Sequence, residues 1–352
     1  MEENMSNIKH FYNTADFPPE EIFKLINLAL DLKTGKKKKY LDGKILAMLF
    51  FNPSLRTRVS FAVAMQKLGG VALDLSVKEG SYTFEFEKGV RMDKDTIEHV
   101  KEAAGVLSRY CNGLAIRASE LITTSKVSVE VAGWEQAKKD KVMKAFMEYA
   151  SVPVINMESN LYHPCQGLGD AMTIKEKFGV TSGKKYVLTW VYHPKALPMA
   201  TPNSEILTAC DLGMDAVIVH PKGWELDERI IASMERRSKE AGGSLSVGSS
   251  MEECLENADI VCAKSWGALK YYGNWEEEKK LKVGLKNWIV DQKKMEMTNN
   301  AYFMHCLPVR RNVEVTDEVI DGKNSIVIDQ AENRLWVQMA ILTTLLGGSD
   351  QI

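Results

Sequence analysis

Nowhere in the 352 residues is there a run of the roughly 18 to 20 uninterrupted apolar residues that a membrane-crossing helix needs. The opening Met1-Glu2-Glu3-Asn4 lacks the basic-then-apolar pattern of a secretion signal, so a cytoplasmic protein is expected. Excess charge is missing too: 45 Lys and Arg stand against 47 Asp and Glu, a formal net charge of −2. Such a balance offers no footprint for nucleic acid or an anionic membrane, and any anion has to be recognised locally by a few placed groups. Disulfide patterning is also absent. Cys111, Cys165, Cys210, Cys254, Cys262 and Cys306 are scattered, mostly inside apolar runs and with no C-x-x-C pair, so free buried thiols are expected.

What is present is the balance of a globular chain, 45% apolar and 26% charged, and too long for a single ordinary core. Short β-rich runs alternate with helical patterns. Lys44–Phe51, Val71–Leu75, Gly113–Ile116 and Pro153–Ile155 read as strands, separated by amphipathic stretches such as Arg56–Leu68 and Thr96–Leu107. The rhythm restarts at Lys185–Val191 and continues through Ala216–His220, Leu245–Gly248, Ile260–Ala263, Trp288–Val290, Tyr302–Met304 and Ile326–Ile328. This predicts an α/β protein of two doubly wound, mostly parallel-sheet domains, with the active site in the cleft between them. Residues 1–155 would form the first domain and 156–330 the second. Met157–Phe178 reads as a loop and long helix joining them, and a terminal helix within 331–352 would pack back on the first. The run Lys36–Lys39 is most simply a solvated loop.

Three stretches carry chemistry. In Phe50-Phe51-Asn52-Pro53-Ser54-Leu55-Arg56-Thr57-Arg58 a strand hands over to a helix, where unpaired N–H groups and the positive end of the helix dipole suit a phosphate. Arg56 adds a planar fork that grips two oxygens, while the bland alternative makes Ser54 an N-cap and the arginines surface charges. His163-Pro164-Cys165-Gln166 precedes a helix, with Asp170 one turn beyond Gln166. His305-Cys306-Leu307-Pro308-Val309-Arg310-Arg311 follows a strand, at the carboxyl end where open α/β sheets bind ligands. A lone His is often structural, and a basic pair beside a loop is usually solvated.

Together the three stretches, in that order, resemble the aspartate and ornithine transcarbamylase family: its S-x-R-T-R phosphate loop, its H-P-x-Q and its H-C-L-P. The resemblance covers essentially the whole chain. It implies that Ser54, Leu55, Arg56 and Thr57 hold the phosphate of carbamoyl phosphate. Arg117 and His163 would face the carbamoyl oxygen as an oxyanion hole. Gln166 and the backbone carbonyls of Cys306 and Leu307 would take the carbamoyl NH₂, with Arg310 also in the site. It further implies a homotrimer and a reaction without metal, covalent intermediate or cofactor. Cys306 would act through its carbonyl oxygen rather than its sulfur.

For the acceptor, the acidic residue and S-M-G segment of the ornithine enzymes are missing, and Ala263-Lys264-Ser265-Trp266-Gly267 stands in their place. A cation at 264 would repel an α-ammonium and suit an acylated amine. Resemblance to the N-acetylornithine branch is close in Gly183–Trp190, Lys264–Leu269, Gly273–Glu276 and Ala331–Leu335, implying acceptor contacts from Glu158, Lys264 and Arg310. The expected reaction makes N-acetylcitrulline and phosphate, in arginine biosynthesis. Asn299–Met304 resembles the succinylornithine branch instead, and Ile97 stands where the acetyl enzymes carry Glu and the succinyl enzymes Pro. Tyr82 replaces a tryptophan that a neighbouring subunit inserts into the site. Glu314 stands where the acetyl enzymes place a lysine carboxylated on its amine, and is either a substitute anion or a solvated surface residue. Trp266 and Trp275 are either packing or substrate contacts. Rival readings are succinylornithine or ornithine as acceptor, an inactive regulatory paralogue, and a dehydrogenase. The last lacks the G-x-G-x-x-G glycines at its first βα turn.

Overall fold

Strands buried on both faces cannot return by a tight turn; each needs a crossover, and a helix supplies one while covering a face of the sheet. The computed structural model describes residues 10–35, 40–77, 83–119 and 133–347. The chain divides into two compact units. One comprises Met1–Glu120, Lys139–Cys165 and Leu335–Ile352, the other Leu121–Lys138 and Gln166–Arg334.

In the first unit, strands β1 (Ile45–Phe50), β2 (Val71–Ser76), β3 (Gly113–Arg117) and β4 (Val154–Glu158) form an all-parallel sheet in the order β2-β1-β3-β4. Helix α1 (Pro19–Lys33) precedes the sheet; α2 (Leu55–Leu68), α3 (Val100–Tyr110) and α4 (Lys141–Tyr149) lie between its strands in sequence. Leu49, Leu114, Ile116, Val154 and Phe146 are buried together in its core. The chain runs outward from β1 to β2, then returns to lay β3 on the other side of β1. At that reversal the loops leaving β1 and β3 diverge, opening a crevice outside their carboxyl ends. Phe50 and Arg117, the last residues of the two strands, are register partners there.

The second unit repeats the device. Strands β5 (Lys185–Trp190), β6 (Asp215–Val219), β7 (Ser244–Gly248), β8 (Ile260–Lys264) and β9 (Tyr302–Met304) are all parallel, in the order β9-β8-β5-β6-β7. Helix α6 (Ala200–Asp211) follows β5, and α7 (Glu228–Glu240) follows β6. The reversal falls between β5 and β8, whose last residues, Trp190 and Lys264, are register partners. Two helices pass from one unit to the other: α5 (Pro164–Phe178) and α8 (Val327–Leu346).

Several expected boundaries shift. Met157 and Glu158 complete β4, and the helix begins only at Pro164, whose missing N–H costs nothing at a helix start. The stretch from Thr96 opens as a two-residue strand, Glu98–His99, paired with Phe84–Glu85, and α3 starts at Val100. Ile326–Ile328 is no strand: Ser325 bridges Phe303 once and Val327 begins α8, where Asp329 in the first turn favours a helix start. Trp288–Val290 likewise contributes one bridge, Val290 to Val315. Among the described residues no helix is long and apolar enough to cross a membrane, and all six cysteines are free.

Two glycines fix how α6 and α7 enter their strands. Gly213 has φ +64°, and a Cβ there would lie 2.5 Å from the Ala241 carbonyl oxygen; a Cβ on Gly243 would lie 2.4 Å from the Met214 carbonyl oxygen. Gly183, at φ +75°, has open space instead. Gly183→Ala should therefore cost only the left-handed backbone, about 1–2 kcal/mol. Gly213→Ala adds a backbone clash and should cost at least about 1 kcal/mol more. Urea unfolding of both variants checks this, and equal losses would mean that the turn at Gly213 relaxes freely.

Candidate active site

At the first reversal, the loop after β1 leads straight into α2. Ser54 is the N-cap, its Oγ accepting from the Thr57 N–H at 3.3 Å, as the capping alternative expected. The same helix start brings Arg56, half-buried, and Thr57, buried, to one end of the strands. A hollow beside them is lined by Phe50 to Leu55, Arg58 and Ser76. Arg58 is occupied by protein: it pairs with Asp74, donates to Ser76 Oγ at 2.9 Å and stacks over the Phe50 ring at 4.0 Å. Asn52 Oδ1 accepts from the Ser119 N–H at 2.8 Å, tying this loop to the one after β3.

That second loop carries the other charges. The β3–β4 register slips between Ile116 and Arg117, so Arg117 pairs with Glu158. The Arg117 guanidinium forms an ion pair with the Glu158 carboxylate, and His163 Nε2 stands 3.7 Å from the same carboxylate oxygen. Glu158 and His163 are each 5% exposed. Glu158, expected to touch the acceptor, therefore holds together the two groups expected to face the carbamoyl oxygen.

In the second unit one buried carboxylate joins two motifs. Asp170 Oδ1 accepts from Gln166 Nε2 at 2.8 Å and from Gln330 Nε2 at 2.7 Å, and Gln330 Oε1 accepts from the His305 N–H at 3.0 Å. Burial pushes the Asp170 carboxyl up to about 7, against those hydrogen bonds and the Arg334 charge. Glu205, fully buried on α6, is raised well above the ordinary carboxylate value by burial and by Asp170, and Lys264 pulls the other way. The Lys264 charge and a bond from the Cys262 thiol both act against burial without outweighing it, so the neutral form is favoured.

Beyond β9, Leu307 has φ +52° and precedes a cis peptide to Pro308. Burial pushes the Cys306 thiol up to about 12, with Lys264 opposing, so almost no thiolate nucleophile exists near neutral pH. Arg310 is exposed, yet its Nε donates to His193 Nε2 at 2.9 Å. His193 Nδ1 then carries the proton and donates to the Lys195 carbonyl oxygen at 2.9 Å. Burial lowers the His193 imidazole to about 4, so it is neutral and able to accept. Lys282 donates to the same Lys195 carbonyl at 3.0 Å and pairs with Glu278 at 2.6 Å. Lys264, at the end of β8, is 7% exposed and sits in a field that includes Glu205, Glu314, Lys282 and His193.

The structure decides two open alternatives. Trp266 is fully buried, donating from Nε1 to the Trp224 carbonyl oxygen at 2.8 Å and accepting at its own carbonyl from Trp190 Nε1, so it is packing. Glu314 is no solvated residue: it is 1% exposed, accepts from the Arg310 N–H at 2.7 Å and stands 3.6 Å from His305 Nε2. Ile97 is 65% exposed, Trp275 is half-buried, and Tyr82 lies outside the described residues. His193, Glu205 and Gln330 were not singled out from sequence. Each is an unremarkable polar residue near a strand end or inside a helix until the fold gives it neighbours.

A strand-end anion loop, an Arg–Glu–His cluster and a buried bridge between H-P-x-Q and H-C-L-P define a group-transfer enzyme of the transcarbamylase type, and the chain belongs to the aspartate/ornithine carbamoyltransferase family. Residues 9–176 match that family's carbamoyl-P binding domain and residues 199–345 its Asp/Orn binding domain. The N-acetylornithine carbamoyltransferase of Xanthomonas campestris pv. campestris is 44% identical over 346 residues, 97% of this chain and 99% of that one. A solved acetylornithine transcarbamylase complexed with acetylcitrulline superposes with a TM-score of 0.92 at 44% identity, over 97% of this chain and 100% of the other. A glutamate-to-valine variant of N-acetyl-L-ornithine transcarbamylase, holding carbamyl phosphate and N-succinyl-L-norvaline, superposes at 0.91 with 44% identity, over 96% and 100%.

Glu314 gives this site a pH signature. Burial alone would raise its carboxyl, but His305, Lys264 and the Arg310 N–H outweigh burial and bring it from 4.5 down to about 2. Because the folded-state value lies below the unfolded one, the stabilisation is complete above about pH 5 and is lost as the pH falls toward 2. Its size is on the order of 3 kcal/mol. Glu314→Gln should therefore lower stability by about that much at neutral pH, with the gap shrinking between about pH 5 and pH 3 in urea unfolding. A gap independent of pH would mean lost packing rather than lost charge.

Proposed function

We propose that the protein transfers the carbamoyl group of carbamoyl phosphate to the side-chain amine of N-acetyl-L-ornithine, giving N-acetyl-L-citrulline and phosphate. The observation that carries this reading is the 44% identity, along 97% of the chain, to an N-acetylornithine carbamoyltransferase. Ser54, Leu55, Arg56 and Thr57 at the start of α2 hold the phosphate through N–H groups, hydroxyls and the guanidinium. Arg117 and His163 donate to the carbamoyl oxygen. Gln166 and the carbonyls of Cys306 and Leu307 accept from the carbamoyl NH₂, with Arg310 beside them. The neutral amine attacks the carbonyl carbon, and the C=O electrons move to an oxyanion held by donors already in place. As that oxygen re-forms its double bond, the bond to the phosphate oxygen breaks. Phosphate leaves with the bonding pair, and the new nitrogen releases its proton.

Lys264 and Arg310 take the α-carboxylate of the acceptor, with Tyr82 contributed by a neighbouring copy. Glu158 serves this site by orienting Arg117 and His163, and Glu314 supplies an anion that needs no modification chemistry. A second acceptor has one specific observation behind it: Ile97 replaces the glutamate of the acetyl enzymes, and a glutamate-to-valine variant of a relative holds a succinyl compound. The test is purified protein given carbamoyl phosphate with N-acetylornithine, N-succinylornithine, ornithine or aspartate in parallel. The acetyl substrate should show the highest kcat/KM. A win for the succinyl substrate would correct the acyl group alone, and a win for ornithine would sink the acyl reading.

We further infer a cytoplasmic homotrimer. Support comes from two exposed apolar rows on neighbouring elements of the first unit: Leu55 and Val59 on α2, and Val71 and Leu73 on the edge strand β2. Rows of this kind on an open sheet edge are normally covered. Sedimentation should give about three times the 39.5 kDa chain mass, and Val59→Asp with Leu73→Glu should lower it. A monomeric parent would end this inference.

A further inference from the structure

The segment from Ser159 to Tyr162 links β4 to α5, with Glu158 at one end and His163 at the other. Four residues of loop have little chance of fixing an imidazole by themselves, yet His163 Nε2 is held 3.7 Å from Glu158. The loop closes on itself through the Ser159 N–H, which donates to the Tyr162 carbonyl at 2.9 Å. Ser159 Oγ sits at its centre and receives three N–H donors: Asn156 Nδ2 at 3.3 Å, Leu161 N at 3.3 Å and Tyr162 N at 3.2 Å. A hydroxyl has two lone pairs and one proton, so its acceptor capacity is spent and the proton must go to an acceptor.

Asp140 is that acceptor, and its backbone is arranged for the purpose. Asp at a helix N-cap ordinarily bonds the first free N–H groups of its own helix. Asp140 stands at the N-cap of α4 and makes no such bond; its φ is +47°, a left-handed conformation that costs energy for most residues but is tolerated by Asp and Asn. Only 2% exposed, it turns its carboxylate into the loop instead. Oδ2 accepts from Ser159 Oγ at 2.5 Å and from the Tyr12 hydroxyl at 2.7 Å, and Oδ1 accepts from the Asn160 N–H at 2.8 Å. Tyr12 also packs edge-on against the Tyr162 ring at 5.7 Å and accepts at its carbonyl from Asn156 Nδ2 at 2.9 Å.

We propose that Asp140 is a positioning residue for His163: with Tyr12 it locks the Ser159–Tyr162 loop and so fixes the imidazole against Glu158 and Arg117. Its catalytic consequence rests on the role proposed above for His163; its structural part does not. Asp140→Asn is the variant of choice, because Asn keeps the left-handed backbone and the acceptor for Asn160 while turning a donor toward a hydroxyl with no lone pair to spare. Tyr12→Phe removes a single donor and guards against a variant that merely fails to fold.

In the full chain, amide hydrogen exchange at residues 159–162 should speed up by about tenfold or more in Asp140→Asn, and less in Tyr12→Phe, while β1 amides stay protected. Turnover should fall by about ten- to a hundredfold, with KM for carbamoyl phosphate moving less than about threefold. Combined with His163→Ala, Asp140→Asn should cost no more than about twofold further, since both act through one side chain. Unchanged loop exchange in both variants, or losses that multiply in the double variant, overturns the proposal. A parent protein that transfers no carbamoyl group would sink the function proposed above, and the exchange experiment would still decide whether Asp140 locks the loop.

Discussion

A parallel strand buried on both faces has to be entered from one end and left from the other, and that constraint organises both units. Each begins its sheet with a strand that ends up inside it, β1 or β5, and builds neighbours outward on one side before crossing to the other. The reversal leaves the carboxyl ends of two adjacent strands uncovered, and no helix can close the gap without blocking the loops that leave it. Phe50 with Arg117, and Trp190 with Lys264, mark those two places. Ser54, Arg56 and Thr57 follow closely on the first and His193 on the second, while His163, Gln166, Cys306 and Arg310 come from elsewhere in the chain.

What the fold then does with charge follows from the cost of burying it. Asp170, Glu205, Glu314, Lys264, Lys282 and His305 are nearly or fully buried in the second unit. Isolated, each ion would cost several kcal/mol. The solutions differ. Glu314 stays anionic because His305, Lys264 and a backbone N–H surround it, whereas Glu205, with only the Lys264 charge and the Cys262 thiol set against full burial, is driven toward its neutral form. Asp170 lies between, raised by burial but holding two glutamine amides that link distant motifs. Lys264 is thus no bare cation. The Glu314 carboxylate in the same field offsets any repulsion of an α-ammonium by Lys264, and an acceptor preference would come from the whole cluster.

The same economy appears in the first unit at Glu158 and Asp140. Each is a buried carboxylate at a position where simpler chemistry was available, an acceptor contact for one and a helix cap for the other. Each is committed instead to holding donors in place: Arg117 and His163 by Glu158, and the loop leading to His163 by Asp140. In the reaction proposed above, donors held in this way would need no reorganisation as charge develops, which is where an oxyanion site gains its advantage over water.

The amino-acid sequence by itself determined the parallel α/β class, because the alternation of apolar strands with amphipathic helices is local and periodic. It also determined the three motif stretches and the S-x-R-T-R helix start, because N-capping and strand-to-helix handover are read within a few residues. Short β-branched runs were not decidable that way: Ile326–Ile328 has strand composition, but with a single bridge available the first turn of α8 took Val327 and Ile328. Burial was equally hidden. Glu314 and Trp266 each carried two readings in sequence, and only neighbours 9 and 42 residues away, His305 and Trp224, chose between them. Tertiary structure alone decided that Asp170 joins Gln166 to Gln330, that His193 seats Arg310, and that Asp140 leaves its own helix uncapped. These are long-range hydrogen bonds between single polar residues. Such residues leave no periodic trace in the chain, and the desolvation that gives the bonds their importance exists only once the sheets have formed.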